Sequence, residues 1–330
     1  MNSLAKVSIL SSISISGLLL LVRKQRSCYC DDNNITSLSD ALSNAIGETP
    51  LLPIKSLSEA TGCLIYAKAE WLNPSGSVKD RAAKAIIEEA ERSGRLLPGG
   101  TIVEGTGGNT GIALAQLGKA KGYSVILFMP NSISEEKIET QRRFGAEVHL
   151  QPLVPFTNPE NYARKAAITA KEHGFVHTDQ FENVANFRAH FSTTGPEIYR
   201  QTKGKVDVFV TSAGTGGTLA GTSAFLKAAN PDVKCYLIDP SGSTLFNYIK
   251  DVKVNNVNSN DIKLSSSGNS QIEGIGIARI TANFAAGVKD IDDAFHGTDQ
   301  EAVEMAYYLL RNEGIIFIIF IITVIIIQTT

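Results

Sequence analysis

The feature that most constrains the fold is a regular alternation of short apolar segments with helix-like segments between residues 64 and 239. Two of the apolar segments, SVILFMP (124–130) and VDVFVTSA (206–213), are rich in β-branched and aromatic residues, which is typical of buried strands. A helix-like segment such as IALAQLGKAKG (112–122) ends at glycine, as helices often do. Because continuously apolar strands separated by helices are typical of parallel sheets covered on both faces, we expect an α/β fold.

The length of the chain, 330 residues, allows about two domains. We predict two α/β regions, an N-terminal one over 41–195 and a C-terminal one over 196–314. A polar linker (27–40) precedes them, and an N-terminal segment (1–26) precedes the linker. An unusual apolar tail (315–330) follows them.

Residues 7–22 form an apolar run that is diluted by serines. This run is slightly shorter than the roughly 20 residues that a membrane-spanning helix needs. The basic residues Arg23, Lys24 and Arg26 follow it, and such residues favour a cytosolic position for the part of the chain that carries them. We therefore expect residues 1–26 to be an uncleaved transmembrane anchor in the mitochondrial outer membrane, with the rest of the chain facing the cytosol. An anchor in the endoplasmic reticulum is one alternative, and a cleaved or disordered leader is another.

The second unusual end is the run from Ile315 to Ile327, which only Thr323 interrupts. It is too short to span a bilayer by itself, and it contains no turn signal, helix cap or charge. Isoleucine and phenylalanine have A/T-rich codons, so the sequence leaves open whether this tail is a frameshift product or a genuine segment.

Composition excludes several classes of function. The 31 basic and 33 acidic residues give a net charge of −2, which excludes a basic nucleic-acid-binding surface as the main function. Four cysteines in a chain of this length exclude a disulfide scaffold. No His/Cys cluster has zinc-ligand spacing, so we expect no metal ion. The nearly balanced charge likewise leads us to expect no nucleic-acid partner.

The first motif that carries chemistry is Asn73-Pro74-Ser75-Gly76-Ser77-Val78-Lys79-Asp80-Arg81. One interpretation is a loop that enters a helix, with Ser77 as the N-cap and Asp80 completing a capping box. This does not explain Lys79, because a cation in the first helical turn opposes the helix dipole. A lysine in that position loses its proton more easily, as an amine that forms a Schiff base must.

The second motif, Glu104-Gly105-Thr106-Gly107-Gly108-Asn109-Thr110-Gly111, connects a predicted strand to a helix. Backbone amides at a helix N-terminus can bind an anion, and three side chains here add hydrogen-bond donors. The alternative is a tight turn that simply requires glycine.

The third motif, Gly214-Thr215-Gly216-Gly217-Thr218, again leads from a strand to a helix. Its amides and hydroxyls are typical of a phosphate cradle. A dinucleotide-binding fingerprint with Asp239 as the ribose-binding acid is the competing interpretation. It fails because Leu219 stands where the third glycine would be required, and no P-loop motif is present.

These motifs together resemble the cysteine synthase and cystathionine β-synthase family of fold-type II pyridoxal-phosphate enzymes. The setting of Lys79 is closer to cysteine synthases than to serine/threonine dehydratases, and the N-terminal anchor resembles that of mitochondrial members. The segments that carry the resemblance appear in the family's order, from about residue 40 to residue 314: GETPL (47–51), NPSGSVKDRAA (73–83), EGTGGNTGIALA (104–115), DQFENVANFRAHFSTTGPEI (179–198), SAGTGGT (212–218) and EGIG (273–276).

The resemblance implies a role for each matching residue. Lys79 would hold pyridoxal phosphate as a Schiff base and move the substrate's α-proton. Asn109 would hydrogen-bond the pyridine 3′-oxygen, and the cofactor phosphate would lie on Gly214, Thr215, Gly216, Gly217 and Thr218. The substrate carboxylate would be bound by Thr106, Gly107, Asn109 and Thr110 with help from Gln180, while Gly274 would line the amino-acid site.

The reaction that the resemblance implies is β-replacement, a transferase reaction of cysteine biosynthesis that forms L-cysteine from O-acetylserine, or another O-activated serine, and sulfide. A cystathionine β-synthase activity and a serine or cysteine β-elimination are the enzymatic alternatives. A catalytically inactive, membrane-attached family member is the third. Members of the family commonly form homodimers.

The chain departs from the family pattern at two places. Glycine stands at position 107 where the family usually has serine, which removes one hydrogen-bond donor to the substrate carboxylate. After Asn312-Glu313-Gly314 the family continues with a glycine- and serine-rich segment that contacts the pyridine nitrogen, and this chain has the apolar tail instead. The C-terminal region is therefore predicted to be incomplete, and the chain to be unstable or inactive.

Overall fold

Two β-sheets form the framework of the protein, for which the computed structural model describes residues 37–255, 257, 262, 264, 270–315 and 324–328. The predicted anchor, including its apolar run, lies outside the described residues. Within the described part of the chain, no helix combines the length and the apolar character needed to cross a membrane.

The elements follow one another as strands and helices in the order that the alternation predicts. The described strands are β1 (Leu51–Pro53), β2 (Cys63–Lys68), β3 (Thr101–Gly105), β4 (Ser124–Pro130), β5 (Glu147–Gln151), β6 (Val176–His177), β7 (Val208–Ser212), β8 (Lys234–Asp239), β9 (Asp293–His296) and β10 (Val324–Gln328). The described α-helices are α1 (Leu38–Ala45), α2 (Lys55–Thr61), α3 (Lys79–Arg92), α4 (Asn109–Ala120), α5 (Glu135–Arg143), α6 (Tyr162–His173), α7 (Ala185–Ala189), α8 (Gly195–Gln201), α9 (Gly217–Ala229), α10 (Leu245–Ile249), α11 (Ala282–Ala285) and α12 (Asp299–Glu313).

The smaller sheet is parallel throughout, in the order β5-β4-β3-β6. Successive residues of a strand point to opposite faces. Ile102 accordingly packs in one core with Leu114 of α4, whereas Val103 packs in another core with Ala166 of α6. This sheet confirms the prediction of buried parallel strands that are covered on both faces.

The larger sheet has the order β1-β2-β10-β7-β8-β9 among the described strands. Strands β7, β8 and β9 are parallel, as predicted, but β1, β2, β10 and β7 pair antiparallel. The expectation of purely parallel sheets is therefore wrong for this half. Residues 54–62, which join β1 to β2, are fewer than the dozen or so that a parallel crossover needs.

The apolar C-terminal run supplies a strand in the middle of this sheet. Val324–Gln328 form β10, and the side chain of Ile325 is 0% exposed in the core beneath the sheet. A run of β-branched residues without charges suits a strand that is buried between two neighbours. Strands β1 and β2, from the predicted N-terminal region, thus join strands of the predicted C-terminal region through β10.

Candidate active site

A cavity of about 470 Å³ lies where the carboxyl ends of β3 and β7 lead into their helices. Such strand-to-helix turns are where ligands bind in α/β proteins. Its lining includes nine of the residues that the sequence singles out: Lys79, Thr106, Gly107, Asn109, Thr110, Gln180, Gly214, Thr215 and Gly274. The other three, Gly216, Gly217 and Thr218, follow directly in the turn that begins α9.

Lys79 is the first residue of α3, and its surroundings differ from the predicted capping box. The N-cap position is Val78, which makes no side-chain cap. The Ser77 hydroxyl accepts a hydrogen bond from the Lys79 amide at 3.2 Å, and Asp80 accepts one from the Ser75 amide at 2.8 Å. The capping box is therefore wrong, because Asp80 is used to fix the loop before the helix.

The amine of Lys79 is poised to lose its proton. Burial lowers its pKa to about 8, and the negative charge of Glu70 opposes this shift. Among the described residues, none forms an ion pair with this amine. A lysine with a pKa near physiological pH can act as a nucleophile and as a base.

A buried cluster of four charged side chains lies behind Lys79. Arg81 contacts Glu70 at 2.8 Å and Glu197 at 2.6 Å, and Lys68 contacts Glu197 at 2.6 Å. Burial by itself would raise the pKa of Glu70, but Arg81 lowers it to about 2. The cluster balances two positive and two negative charges, which a buried site requires. Of these four residues, the segments quoted from the sequence include Arg81 and Glu197, and sequence reasoning assigned a role to neither.

The loop between β3 and α4 forms one wall of the cavity. The Thr110 hydroxyl donates to Gln180 Oε1 at 2.6 Å, and Gln180 Nε2 donates to the Gly105 carbonyl at 3.3 Å. Thr106 Oγ1 accepts from the Gly108 amide at 3.2 Å. Asn109 begins α4 and lines the cavity. The loop and Gln180 are thus held together as one surface.

Glu104 supports this wall from behind, at the buried end of β3. Its carboxylate accepts hydrogen bonds from the Gly105 amide at 2.9 Å, the Thr178 hydroxyl at 2.6 Å and the Gln180 amide at 3.1 Å. Burial raises its pKa to about 7, although these donors oppose the shift. Sequence reasoning assigned no role to Glu104, and its position directly before a glycine-rich turn is the signal that could have indicated one.

Gly107 lies against Ile133 in the same wall. A Cβ at position 107 would lie 2.9 Å from Ile133 Cδ1, closer than real Cβ contacts. Both residues line the cavity, so the Ile133 side chain occupies space that a larger residue at 107 would need.

The turn before α9 has the properties of an anion cradle. Gly216 has a φ of +85°, which favours glycine, and the amides that follow it begin a helix of 13 residues. Cβ atoms at Gly214 and Gly217 would meet the Gly274 carbonyl at 2.4 Å and Asn186 Oδ1 at 2.2 Å. Asn186 Nδ2 also donates to Thr215 Oγ1 at 2.9 Å. The packing therefore accepts only glycine where the backbone would approach a phosphate.

His190 lies under this turn, at the start of a π-helix (His190–Thr194). Its Nε2 is 3.2 Å from Thr218 Oγ1, and its Nδ1 is 2.9 Å from Thr194 Oγ1. Burial and then the charge of Arg81 lower its pKa to about 3, so the ring is neutral at physiological pH. Short π-helical insertions occur frequently at functional sites. Sequence reasoning missed this residue.

Charged residues surround the mouth of the cavity. Lys137 of α5 forms an ion pair with Glu273, and Arg279 forms one with Glu182. Arg279 also lies 4.8 Å from the ring centre of Phe156. The first pair joins the segment that contains Gly274 to α5, and the second pair joins the same segment to the residues that follow β6.

The donor set fits pyridoxal phosphate. A lysine with a lowered pKa and an amide cradle shaped for a phosphate contribute to the same cavity, and Asn109 lies in its lining. The Thr106–Thr110 loop adds hydroxyl and amide donors suited to a carboxylate.

Comparison with known proteins agrees with this chemistry. The model of the family described as "Pyridoxal-phosphate dependent enzyme" matches residues 42–317. Cysteine synthase 1 of Emericella nidulans is 49% identical over 84% of this chain and 73% of its own length. A cysteine synthase of Saccharomyces cerevisiae whose name refers to mitochondria is 40% identical over 84% of this chain and 73% of its own length. The crystal structure of a hydrogen sulfide-producing enzyme from Fusobacterium nucleatum is similar with a TM-score of 0.73 and 33% identity, over 84% of this chain and 85% of that one.

Proposed function

The chain belongs to the pyridoxal-phosphate-dependent enzyme family, and we propose that it forms L-cysteine by β-replacement from O-acetylserine, or another O-activated serine, and sulfide. One observation carries the proposal. Lys79, with a pKa of about 8, lines the same cavity as the glycine-rich loop after β3 and the first residues of the turn after β7, Gly214 and Thr215. The similarity to cysteine synthases supports this choice of reaction within the family.

The residues that would hold the cofactor belong to the cavity lining and to the turn that begins α9. Lys79 would attach it, the amides from Gly214 to Thr218 would bind its phosphate, and Asn109 would hydrogen-bond its 3′-oxygen. When bound, pyridoxal phosphate supplies an electron sink for the electrons of the substrate's broken Cα–H bond.

The substrate would lie against the loop between β3 and α4. Thr106 and Asn109 offer side-chain donors to its carboxylate, and Thr110 offers its backbone amide, because the Thr110 hydroxyl donates to Gln180 Oε1. Gly107 can contribute only its backbone amide, and Gly274 would face the amino-acid portion from the opposite side.

Lys79 would also move the α-proton. A pKa of about 8 leaves a fraction of the amine neutral at physiological pH, which a base requires. The ion pairs at the mouth, with Phe156 beside Arg279, would limit the access of water while the substrate reacts.

Two other activities use the same residues. β-Elimination from cysteine or serine is the second candidate, and the hydrogen sulfide-producing structural neighbour supports the cysteine reaction, which releases sulfide. A cystathionine β-synthase reaction would replace sulfide by a thiol-containing amino acid. A catalytically inactive, membrane-attached member is the remaining alternative.

We also propose attachment to the mitochondrial outer membrane through residues 7–22, with the catalytic part facing the cytosol. The basic residues after this run support that orientation, and a mitochondrial relative supports the organelle. The endoplasmic reticulum membrane is the alternative, and fractionation of cells that express the full chain distinguishes the two. A homodimer is expected from the family.

The test compares three substrate mixtures with the full chain in detergent: O-acetylserine with sulfide, serine with homocysteine, and cysteine alone. We expect cysteine from the first mixture to dominate, and Lys79→Ala to lower that rate by about 10²–10⁴-fold. Lys84→Ala, on the same helix but outside the cavity lining, should keep the activity. Faster turnover of either other mixture would identify an alternative activity, and no turnover by protein that visibly binds the cofactor would identify an inactive member.

A further inference from the structure

Strand β10 lies between the two strands that lead to the two ends of the proposed cofactor site. On one side it pairs with β2, after which the chain continues to Lys79. On the other side it pairs with β7, after which the chain enters the phosphate cradle at Gly214. In the register of the sheet, Ile325 lies opposite both Tyr66 and Phe209.

The end of β2 is fixed rigidly to the helix that begins with Lys79. Lys68, the last residue of β2, contacts Glu197, and Glu70 contacts Arg81 in the first turn of α3. Asn73 Nδ2 also donates to Glu70 Oε2 at 2.9 Å. A sideways shift of β2 would therefore move Lys79 with it.

The end of β7 is fixed to the phosphate cradle in a similar way. The Ala213 carbonyl accepts from the Gly276 amide at 2.8 Å, and Gly214 packs closely against the Gly274 carbonyl. A sideways shift of β7 would therefore move the cradle.

Nothing else within the described sheet joins β2 to β7, because β2 pairs with β1 and β10, and β7 pairs with β10 and β8. One intervening strand sets their separation to about 10 Å, twice the usual strand spacing. A second connection runs through the helices, where Arg81 of α3 contacts Glu197 of α8. Loss of β10 would thus leave the helical connection in place.

We propose that β10, and Ile325 in particular, is a positioning element that sets the distance between Lys79 and the phosphate cradle. The inference rests on the cofactor site proposed above. A rigid ligand gains affinity from two binding groups only when both can be engaged at once, so their spacing determines the gain. The apolar C-terminal run would thereby act on cofactor binding without touching the cofactor.

The test measures the affinity of the full chain for pyridoxal 5′-phosphate, for pyridoxal, which lacks the phosphate, and for inorganic phosphate. The parent should bind the phosphorylated form more tightly. Ile325→Ala should reduce this preference at least about threefold, and a chain ending at residue 323 at least about tenfold, because the two ends are no longer held in register. The affinity for inorganic phosphate should stay unchanged, since the cradle itself is intact.

Leu237→Ala is the matched control, because Leu237 of β8 is as fully buried as Ile325 in the same core but does not pair with β2. The inference would be overturned if both variants lost the preference for pyridoxal 5′-phosphate over pyridoxal equally, or if a folded chain ending at residue 323 kept that preference unchanged. Either result would leave the proposed function standing. If that shorter chain does not fold, the comparison of Ile325→Ala with Leu237→Ala decides. A parent that binds no pyridoxal 5′-phosphate would overturn the proposed function as well.

Discussion

The guanidinium of Arg81 binds the carboxylate of Glu70 in a bidentate manner, from Nε and from Nη2 at 2.8 Å each. Both groups are buried, and Arg81 lies two residues after Lys79 in the first turn of α3. Bidentate pairs of this kind fix geometry as well as charge. The charge of Glu70 also opposes the effect of burial on the pKa of Lys79. The pair therefore links the stability of the fold to the reactivity of the lysine.

Glu70→Gln should lower the pKa of Lys79 further, because the negative charge that opposes the effect of burial is lost. It should also destabilise the protein by about 3–5 kcal/mol, the usual cost of breaking a buried ion pair. The pH dependence of the rate at which cofactor-free protein reacts with pyridoxal phosphate at Lys79 measures the first effect, and urea unfolding measures the second. Glu91→Gln, whose partner Lys121 lies outside the cavity lining, is the control. An unchanged pH profile would show that Glu70 has only a structural role.

Glu104→Gln should change how stability depends on pH. The pKa of Glu104 is raised to about 7 from an ordinary value of 4.5, so its contribution is fully present below pH 4.5 and is lost as the pH rises through 7. This loss amounts to about 3 kcal/mol between those values. In urea unfolding at both pH values, the parent should therefore lose about 3 kcal/mol relative to the variant between pH 4.5 and pH 7.

The same substitution should loosen the substrate loop, because a glutamine amide would face the Gly105 N–H or one of the other two donors. We expect a higher KM for O-acetylserine with an unchanged affinity for pyridoxal phosphate. A variant with a weakened cofactor affinity and a normal KM would contradict this role.

Although Gly107→Ser adds a hydroxyl donor, it should raise the KM for O-acetylserine, because its Cβ would meet the Ile133 side chain at 2.9 Å. Combining it with Ile133→Ala should restore the KM, since the smaller side chain frees the space. A double-mutant cycle on KM gives the coupling, which is commonly about 0.5–3 kcal/mol for residues in contact. If the effects of the two substitutions on KM are additive, the Ile133 side chain does not limit the size of the side chain at position 107.

Strand β4 of the smaller sheet was predictable, because it is an almost continuous apolar run that ends at a proline. The predicted segment 124–130 coincides with β4 (Ser124–Pro130). Strand β10 was not predictable, since the run from Ile315 to Ile327, which only Thr323 interrupts, shows no period that distinguishes a strand from a buried helix. Its role becomes evident only when β2 and β7 supply neighbours on both sides.

The glycine-rich parts of the site were also predictable, because anion-binding turns need local sequence features. The supporting residues were not, because they are brought together only by the fold. Arg81 and Glu197 are 116 residues apart in sequence and 2.6 Å apart in the structure. His190 gives no local signal, because its function depends on Thr218 of a distant turn.

His190→Gln should remove a second pH dependence of stability. The pKa of His190 is lowered to about 3 from an ordinary value of 6.5, so its contribution is present above pH 6.5 and is lost as the pH falls toward 3. Between pH 7 and pH 5 the parent should therefore lose about 2 kcal/mol relative to the variant in urea unfolding. His173→Gln, at an exposed position on α6, is the control and should behave as the parent does.

His190→Gln should also bind pyridoxal phosphate more weakly while its affinity for pyridoxal is unchanged, because His190 positions Thr218 rather than Lys79. Equal weakening of both ligands would instead indicate a general loss of structure around the site.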